Sequence, residues 1–150
     1  MALIETGAEA PAVPGVAFGD GPVALLFYKD SCPVCQMAAP VSAAFEAAMP
    51  GRLVGVGQDD EARRARFAET YGFAARSVGD LPPYDVSNAY GIVSVPTLVL
   101  VGRDGVVADV SGAWDRTAWN RIAATMAGDL GVPPVTVSEA SDGRPPFKPG

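Results

Sequence analysis

Histidine is absent from this 150-residue sequence, and cysteine occurs only twice, at Cys32 and Cys35. Without an imidazole the residues cannot assemble a Ser-His-Asp or Cys-His catalytic group, and the commonest transition-metal ligand is missing. Two cysteines are also too few for the disulfide framework that holds many small secreted domains together. These absences leave a narrow range of chemistry for the chain.

Positive charge is scarce, because 11 Lys and Arg residues face 17 Asp and Glu residues and the net charge is −6. Binding to a nucleic-acid backbone needs a cationic surface, so we expect no nucleic-acid partner. No apolar run approaches the roughly 18 residues of a membrane span. Residues 1–16 contain no Lys or Arg and do not resemble a secretory signal. We therefore expect a cytoplasmic location, and a periplasmic one if a leader has been removed.

The composition is that of a globular protein, with 49% apolar and 19% charged residues. The length suits one compact domain, which we place at residues 1–130. Residues 131–150 form a proline-rich C-terminal tail or extended strap with few large apolar side chains. Its prolines are Pro133, Pro134, Pro145, Pro146 and Pro149.

Hydrophobic patterns predict an α/β fold in the order β-α-β-α-loop-β-β-α. The continuous apolar run at 23–28 is typical of a central strand buried on both faces. Helical periodicity then runs over 34–48, with Pro40 expected to kink that helix. The interval 73–84 is predicted to be a loop. The other predicted elements are strands at 53–56, 98–101 and 106–110, a helix at 60–71 and a final helix around 119–126.

The two cysteines lie where the first strand gives way to the first helix. A thiolate is the nucleophile of disulfide exchange, and a helix N-terminus stabilises negative charge. We therefore expect Cys32 to be exposed, with a lowered pKa, and to attack a substrate disulfide. Cys35, inside the first turn, should be sheltered and resolve the mixed disulfide. Two alternatives are an inert pair and a metal site completed by carboxylates or a second chain, although no metal is expected.

Three sequence features carry a family resemblance: Cys32-Pro33-Val34-Cys35 at a strand–helix junction, Pro40, and Val95-Pro96-Thr97 before a strand. Together they resemble the thioredoxin superfamily, and more narrowly the TlpA-like thiol–disulfide oxidoreductases and the related redoxin group. The helix inserted before Pro96 and the turn at 103–106 are similar to those of the same group. The resemblance covers residues 5–130. It implies a thioredoxin-like three-layer sandwich, with a mixed central sheet and helices on both faces.

The resemblance also implies a site around the two cysteines. Pro96 would be cis and face the Cys32 sulfur, which makes Cys32, Cys35 and Pro96 the catalytic group. The peptide groups beside Pro96 would bind an extended substrate. The implied substrate-binding residues are Val95, Thr97, Pro33, Val34 and Gly112. No cofactor is implied, since the sulfur atoms themselves carry the electrons.

The chain departs from thioredoxins proper at two places, and the first is Asp30-Ser31 before Cys32, where thioredoxins carry Trp. Leu26 stands where a buried Asp would align, so deprotonation of Cys35 lacks its usual acceptor. Lys29, just before Cys32, is a candidate source of positive charge. Of the two tryptophans, Trp119 fits the apolar face of the last helix, whereas Trp114 is predicted to lie in a loop where it is a candidate for partner recognition.

The predicted function is thiol–disulfide exchange with a disulfide-containing protein or small thiol substrate, recycled by an external reductant or oxidant. One alternative is a peroxiredoxin-like thiol peroxidase. That family usually has Thr or Ser three residues before its reactive cysteine, where this chain has Lys29. The other alternative is a non-catalytic thioredoxin-fold binding module.

Overall fold

The computed structural model of the chain describes residues 2–150. A short 3-10 turn, Ala39–Val41, separates the first two helices. The strands and helices follow one another as β1 (Val23–Tyr28), α1 (Pro33–Ala38), α2 (Ser42–Ala48), β2 (Leu53–Gly57), α3 (Glu61–Tyr71), β3 (Arg76–Gly79), α4 (Asp85–Ala89), β4 (Thr97–Val101), β5 (Val107–Ser111), β6 (Trp114–Asp115), α5 (Arg116–Leu130) and β7 (Phe147–Lys148).

Five strands form the main sheet in the order β3-β2-β1-β4-β5. The predicted strand at 23–28 is confirmed as β1, and all six of its residues are buried at the centre of the sheet. β1 is parallel to β2 and β2 to β3, whereas β4 is antiparallel to both β1 and β5. The end of β1 and the beginning of β4 therefore meet at one edge of the sheet.

Alternate side chains of β1 enter two separate hydrophobic clusters. Leu26 and Tyr28 join the cluster that packs against α1, α2, α3 and α5. Leu25 and Phe27 join the opposite cluster, which includes Val86 of α4. Because a strand projects successive side chains to opposite faces, this sheet is covered on both sides. The predicted mixed sheet with helices on both faces is confirmed.

Two local predictions need correction or refinement. The interval 73–84 is not wholly a loop, since β3 occupies Arg76–Gly79, and the helix α4 at Asp85–Ala89 was not predicted. β3 is a short edge strand with no buried residue, and its lack of an apolar run hid it from the hydrophobic pattern. The helix predicted over 34–48 is interrupted, as expected from Pro40. Proline has no N–H to donate to the preceding turn.

The residues after α5 fold back along the domain. Val132, Val135 and Val137 pack against the cluster that contains both cysteines. Further on, β7 pairs antiparallel with β6. The division of the chain at 130 and 131 stays a prediction. Among residues 2–150, none of the helices has the length and apolar character needed to cross a membrane.

The hypothesis that Trp114 recognises a partner is wrong. Its side chain is completely buried, with 0% of its surface exposed. Its indole Nε1 donates to the Pro145 carbonyl oxygen at 2.7 Å, and its ring meets Trp119 edge-on at a centroid distance of 4.8 Å. A buried indole needs a hydrogen-bond partner, and the C-terminal segment supplies it. Trp119 is buried, as predicted.

Candidate active site

The two cysteines occupy the first turn of α1. Cys32 is the N-cap residue in an extended conformation, and Pro33 is the first helical residue. Proline is well suited to that position, because its fixed φ angle is helical and its missing N–H would have no partner there. Cys35 then falls one turn along the helix, and its backbone N–H donates to the Cys32 sulfur at 3.2 Å.

The segment before β4 meets the cysteines at the same edge of the sheet. The Val95–Pro96 peptide bond is cis, as the family resemblance implies. The Cys32 Sγ donates to the Val95 carbonyl oxygen at 3.5 Å. Residues separated by more than sixty positions in the sequence are thereby in direct contact.

Cys32 is less exposed than the sequence predicts. Only 8% of its surface is exposed, compared with 3% for Cys35. The expectation of an exposed nucleophile is therefore wrong, although the order of the two residues is as predicted. The reason is geometric: the Cys32 sulfur points inward, where it accepts the Cys35 N–H and donates to the Val95 carbonyl.

The two thiols have opposite pKa shifts. A hydrogen bond from the Cys35 thiol is the largest cause that lowers the pKa of Cys32 to about 6, and backbone N–H groups and the positive charge of Lys29 act in the same direction. The same hydrogen bond and burial raise the pKa of Cys35. Hydrogen bonds to a charged group favour that form, and burial disfavours it. Above about pH 6 Cys32 is therefore mainly a thiolate, which can no longer donate to the Val95 carbonyl, and Cys35 stays a thiol.

The loop between β1 and Cys32 is held by two side chains that sequence reasoning missed. The Asp59 carboxylate accepts the backbone N–H of Asp30 at 2.8 Å, and Gln36 Nε2 donates to the Asp30 carbonyl oxygen at 2.8 Å. Burial raises the pKa of Asp59. No sequence pattern could have singled out Asp59, because it reaches this loop only through the pairing of β1 with β2.

The implied substrate-binding residues differ in accessibility. Pro33 and Gly112 are exposed, whereas Val34 is buried. The Thr97 side chain is also buried, and its Oγ1 donates to the Ser94 carbonyl oxygen at 2.8 Å. Any contact between Thr97 and a ligand would therefore use its backbone. Gly112 is joined to the loop before Pro96, since Ser94 Oγ donates to its carbonyl oxygen at 3.3 Å.

Leu26 lies in the same buried cluster as both cysteines, with 4% of its surface exposed. The position where the sequence lacks a carboxylate is thus an apolar part of the core. No group of three or more potential metal ligands (His, Cys, Asp or Glu) lies together within residues 2–150.

Both a protein-family profile and solved structures match this chain. The sequence profile of the AhpC/TSA family matches residues 15–110, which include both cysteines and Pro96. A search among curated proteins found no match. Solved structures with a similar fold are found in bacteria, and their similarity agrees with the thioredoxin-like fold that the sequence predicts.

Three solved structures illustrate the similarity. The thioredoxin domain of a thiol-disulfide oxidoreductase from Bacteroides vulgatus has a TM-score of 0.63 and 23% identity, covering 72% of this chain and 89% of that one. A secreted Mycobacterium tuberculosis disulfide oxidoreductase homologous to E. coli DsbE has a TM-score of 0.53 and 23% identity, covering 61% and 69%. The MTB dsbF protein, in mixed oxidized and reduced forms, has a TM-score of 0.54 and 28% identity, covering 63% and 70%.

Proposed function

Since this chain belongs to the AhpC/TSA family, we propose that it is a dithiol–disulfide oxidoreductase that exchanges electrons between Cys32–Cys35 and a disulfide-containing partner. The observation that carries the proposal is the arrangement of the two sulfurs at the start of α1. One thiol has a pKa lowered to about 6, the other has a raised pKa, and the sulfur of the first lies 3.5 Å from the Val95 carbonyl oxygen. Two of the similar structures, from Bacteroides vulgatus and Mycobacterium tuberculosis, are of enzymes of the same class.

The reaction begins with the Cys32 thiolate. It attacks one sulfur of the partner disulfide, so that a Cys32–partner disulfide forms and the second partner sulfur leaves as a thiolate. Cys35 then loses its proton and attacks the Cys32 sulfur, closing the Cys32–Cys35 disulfide and releasing the first partner sulfur. Two electrons pass from the chain to the partner. An external reductant restores the dithiol, and the reverse sequence would oxidise a dithiol partner.

The substrate would dock beside Pro96. The resemblance assigns Val95 and Thr97 to an extended backbone edge, with Pro33, Val34 and Gly112 around it. The buried side chains of Val34 and Thr97 favour a supporting role, in which Thr97 offers its peptide group and Val34 positions the helix turn. An edge of backbone groups suits partners with an extended segment around the disulfide.

The partner is expected to be a protein or a small molecule that contains a disulfide. The cytoplasmic location stays a prediction of the sequence, and one of the similar structures is of a secreted protein. Measuring the reduction potential of the Cys32–Cys35 couple would indicate the direction of electron flow, because a low potential suits a reductant and a high potential an oxidant.

The peroxidase alternative predicts different kinetics. A peroxidase would react with hydrogen peroxide much faster than with a disulfide, and Cys32 would pass through a sulfenic acid. Lys29 stands where that family usually has Thr or Ser, so we favour disulfide exchange. Peroxide and disulfide offered separately to the reduced protein distinguish the two reactions.

The decisive experiment measures turnover of an insulin-type disulfide by the wild type, Cys32→Ser and Cys35→Ser. We expect turnover only in the wild type. Cys35→Ser should accumulate a mixed disulfide with the substrate, and Cys32→Ser should not. Binding without turnover in the wild type would indicate a binding module instead. Sustained turnover by Cys32→Ser would contradict the assignment of the nucleophile.

A further inference from the structure

Residues 144–150, here called the strap, run from the cysteine-bearing helix to the loop before β4. At one end, Arg144 Nε donates to the Met37 carbonyl oxygen of α1 at 2.9 Å. In the middle, Phe147 and Lys148 of β7 pair with β6. The strap therefore crosses the same edge of the sheet as the site described above.

The last residue of the strap reaches the atom that binds the nucleophile. A Cβ placed on Gly150 would overlap the Val95 carbonyl oxygen and lie 3.2 Å from Pro96 Cδ. The Val95 carbonyl is also the acceptor of the Cys32 thiol. Gly150 thus lies directly against the backbone oxygen to which the Cys32 thiol donates, and only a residue without a side chain can approach it so closely.

The strap is held firmly at one end and weakly at the other. The Pro145 carbonyl accepts from Trp114 Nε1 at 2.7 Å, and the Pro146 carbonyl accepts the Arg116 N–H at 3.0 Å. Beyond Pro146 the side chains are exposed, and 57% of the Phe147 surface is in contact with solvent. Exposed segments with few buried contacts open at low free-energy cost. Residues 147–150 can therefore leave while 145–146 remain in place.

We propose that residues 147–150 occupy the docking edge of the substrate and inhibit the enzyme until a partner displaces them. This inference rests on the proposed function. The partner it fits is an extended peptide that pairs with β6 in place of Phe147 and Lys148 and brings its disulfide to Val95–Pro96. Strand addition to a free edge is an established mode of peptide recognition. A competing segment lowers the apparent affinity by the fraction of molecules whose edge is open.

The first test compares the full chain with a variant that ends at Pro146, which keeps the contacts of Trp114 and Arg116. With a disulfide-linked peptide as substrate, KM should fall and kcat should change little. If the edge is open about a tenth of the time, KM should fall roughly tenfold. The rate at which iodoacetamide alkylates Cys32 at pH 8 should rise in the same variant. Equal KM values and equal alkylation rates would overturn the proposal.

A second test keeps the chain at full length. Gly150→Ala adds one methyl group against the Val95 carbonyl and should raise the alkylation rate of Cys32. The matched control is Gly128→Ala on α5, where a Cβ would meet nothing within 4 Å and the rate should not change. A synthetic peptide with the sequence of residues 144–150, added to the shortened variant, should raise KM and leave kcat unchanged. Equal effects of the two alanine variants would contradict the proposal.

The outcomes separate the strap from the proposed function. If both the full and the shortened chain reduce the peptide disulfide with the same KM, the strap is not inhibitory and the proposed function stands. If neither chain reduces a disulfide but the shortened one is alkylated faster, the proposed function fails and the strap still covers Cys32.

Discussion

At the scale of single residues, the site depends on two identical thiols that ionise differently. Cys32 accepts hydrogen bonds at the N-terminus of α1, whereas Cys35 donates one and lies deeper in the core. A thiolate at Cys32 is therefore stabilised by the neutral form of its neighbour. This coupling predicts which substitutions change the reactivity of Cys32.

The pH dependence of Cys32 alkylation tests this coupling. The lowered pKa predicts a rate that rises with pH around a midpoint of about 6, while Cys35 stays unreactive over the same range. Cys35→Ala removes the hydrogen bond that is the largest cause of the lowered Cys32 pKa. The midpoint of Cys32 alkylation should therefore rise towards the value of about 8.5 for an ordinary thiol. Cys35→Ser retains a hydroxyl donor and should raise it less.

Lys29→Ala is the comparison for the charge effect. Lys29 is exposed and its contribution is the last among the causes of the lowered Cys32 pKa, so a smaller rise in the midpoint is expected. Peptide mapping of the alkylated protein identifies the modified cysteine. Faster labelling of Cys35 than of Cys32 in the wild type would reverse the assignment of nucleophile and resolving residue.

Leu26 is another single residue that affects the chemistry of the site, because it fills the position where a proton acceptor for Cys35 would lie. Leu26→Asp should speed resolution of a Cys32 mixed disulfide near pH 7, since a carboxylate can accept the Cys35 proton. It should also lower the free energy of unfolding by a few kcal/mol, because a buried carboxyl without a partner is costly. Stopped-flow kinetics and urea denaturation measure the two effects.

Leu26→Asn is the matched control, with a similar shape and no acidic group. It should lower stability in the same way but leave the rate of resolution unchanged. If Leu26→Asp resolves the mixed disulfide at the wild-type rate across the pH range, another group already accepts the proton. The argument from Leu26 would then be wrong.

At the scale of elements, the break between α1 and α2 sets the direction of the cysteine-bearing helix. Ser42 follows the 3-10 turn and is buried, with 2% of its surface exposed. Its Oγ donates to the Ala39 carbonyl at 2.6 Å and accepts the Ala74 N–H at 2.8 Å. One hydroxyl therefore joins the helix break to the loop before β3.

Ser42→Ala should lower the free energy of unfolding by about 1–3 kcal/mol, because it removes both hydrogen bonds of the hydroxyl, each worth about 0.5–1.5 kcal/mol. The site chemistry should be affected less, since both cysteines lie in the preceding helix. Ser141→Ala, in an exposed part of the tail, is the control and should change stability by less than about 0.5 kcal/mol. Equal stabilities of the two variants in urea denaturation would contradict this account.

At the scale of the whole molecule, the C-terminal residues are tied to the domain through Asp142. Its carboxylate accepts from Ser138 Oγ at 2.6 Å and forms ion pairs with Arg116 and Arg144 at 3.2 and 3.0 Å. Arg144 in turn reaches α1 through the Met37 carbonyl. The base of the strap is thus connected to α5 and to the helix that carries the cysteines.

Acid should release this connection. Hydrogen bonds from the Ser138 hydroxyl and from the backbone N–H and guanidinium of Arg144, together with the Arg144 charge, hold the pKa of Asp142 well below its usual range. The pKa of Asp142 is lower in the folded protein than in the unfolded chain. Its contribution to stability is therefore complete above the unfolded pKa of about 3.9, and it is lost as the pH falls from that value through the folded-state pKa. Proteolysis or hydrogen exchange of residues 138–148 should therefore increase as pH falls below about 4.

Asp142→Ala should make the same residues exchange rapidly at neutral pH. Asp129→Ala is the control, because Asp129 forms an exposed ion pair with Arg103 near the end of α5, and such pairs contribute little to stability. If residues 138–148 are protected from hydrogen exchange equally well in the two variants, the Asp142 network does not hold these residues on the domain.

Much of the fold could be predicted from local patterns. The apolar run of β1 and the 3.6-residue periodicity around Pro40 are each recognised within a few positions of the sequence. The Cys-x-x-Cys spacing and its place at a strand–helix junction predicted the two sulfurs of the candidate site in the same way. These features are local because strand and helix periodicities act between near neighbours.

Other features depend on which distant residues meet. The Cys32 sulfur meets the Val95 carbonyl, and the buried Trp114 indole has its hydrogen-bond acceptor in Pro145. Likewise, β3 has no apolar pattern of its own and exists through pairing with β2. The proline content of residues 131–150 predicted an extended C-terminal tail, but no local pattern indicated that Gly150 would lie against Val95. The sequence by itself determined the sulfur chemistry and the main elements through short-range preferences, and only the tertiary structure decided how accessible that chemistry is, because burial depends on contacts between segments far apart in the chain.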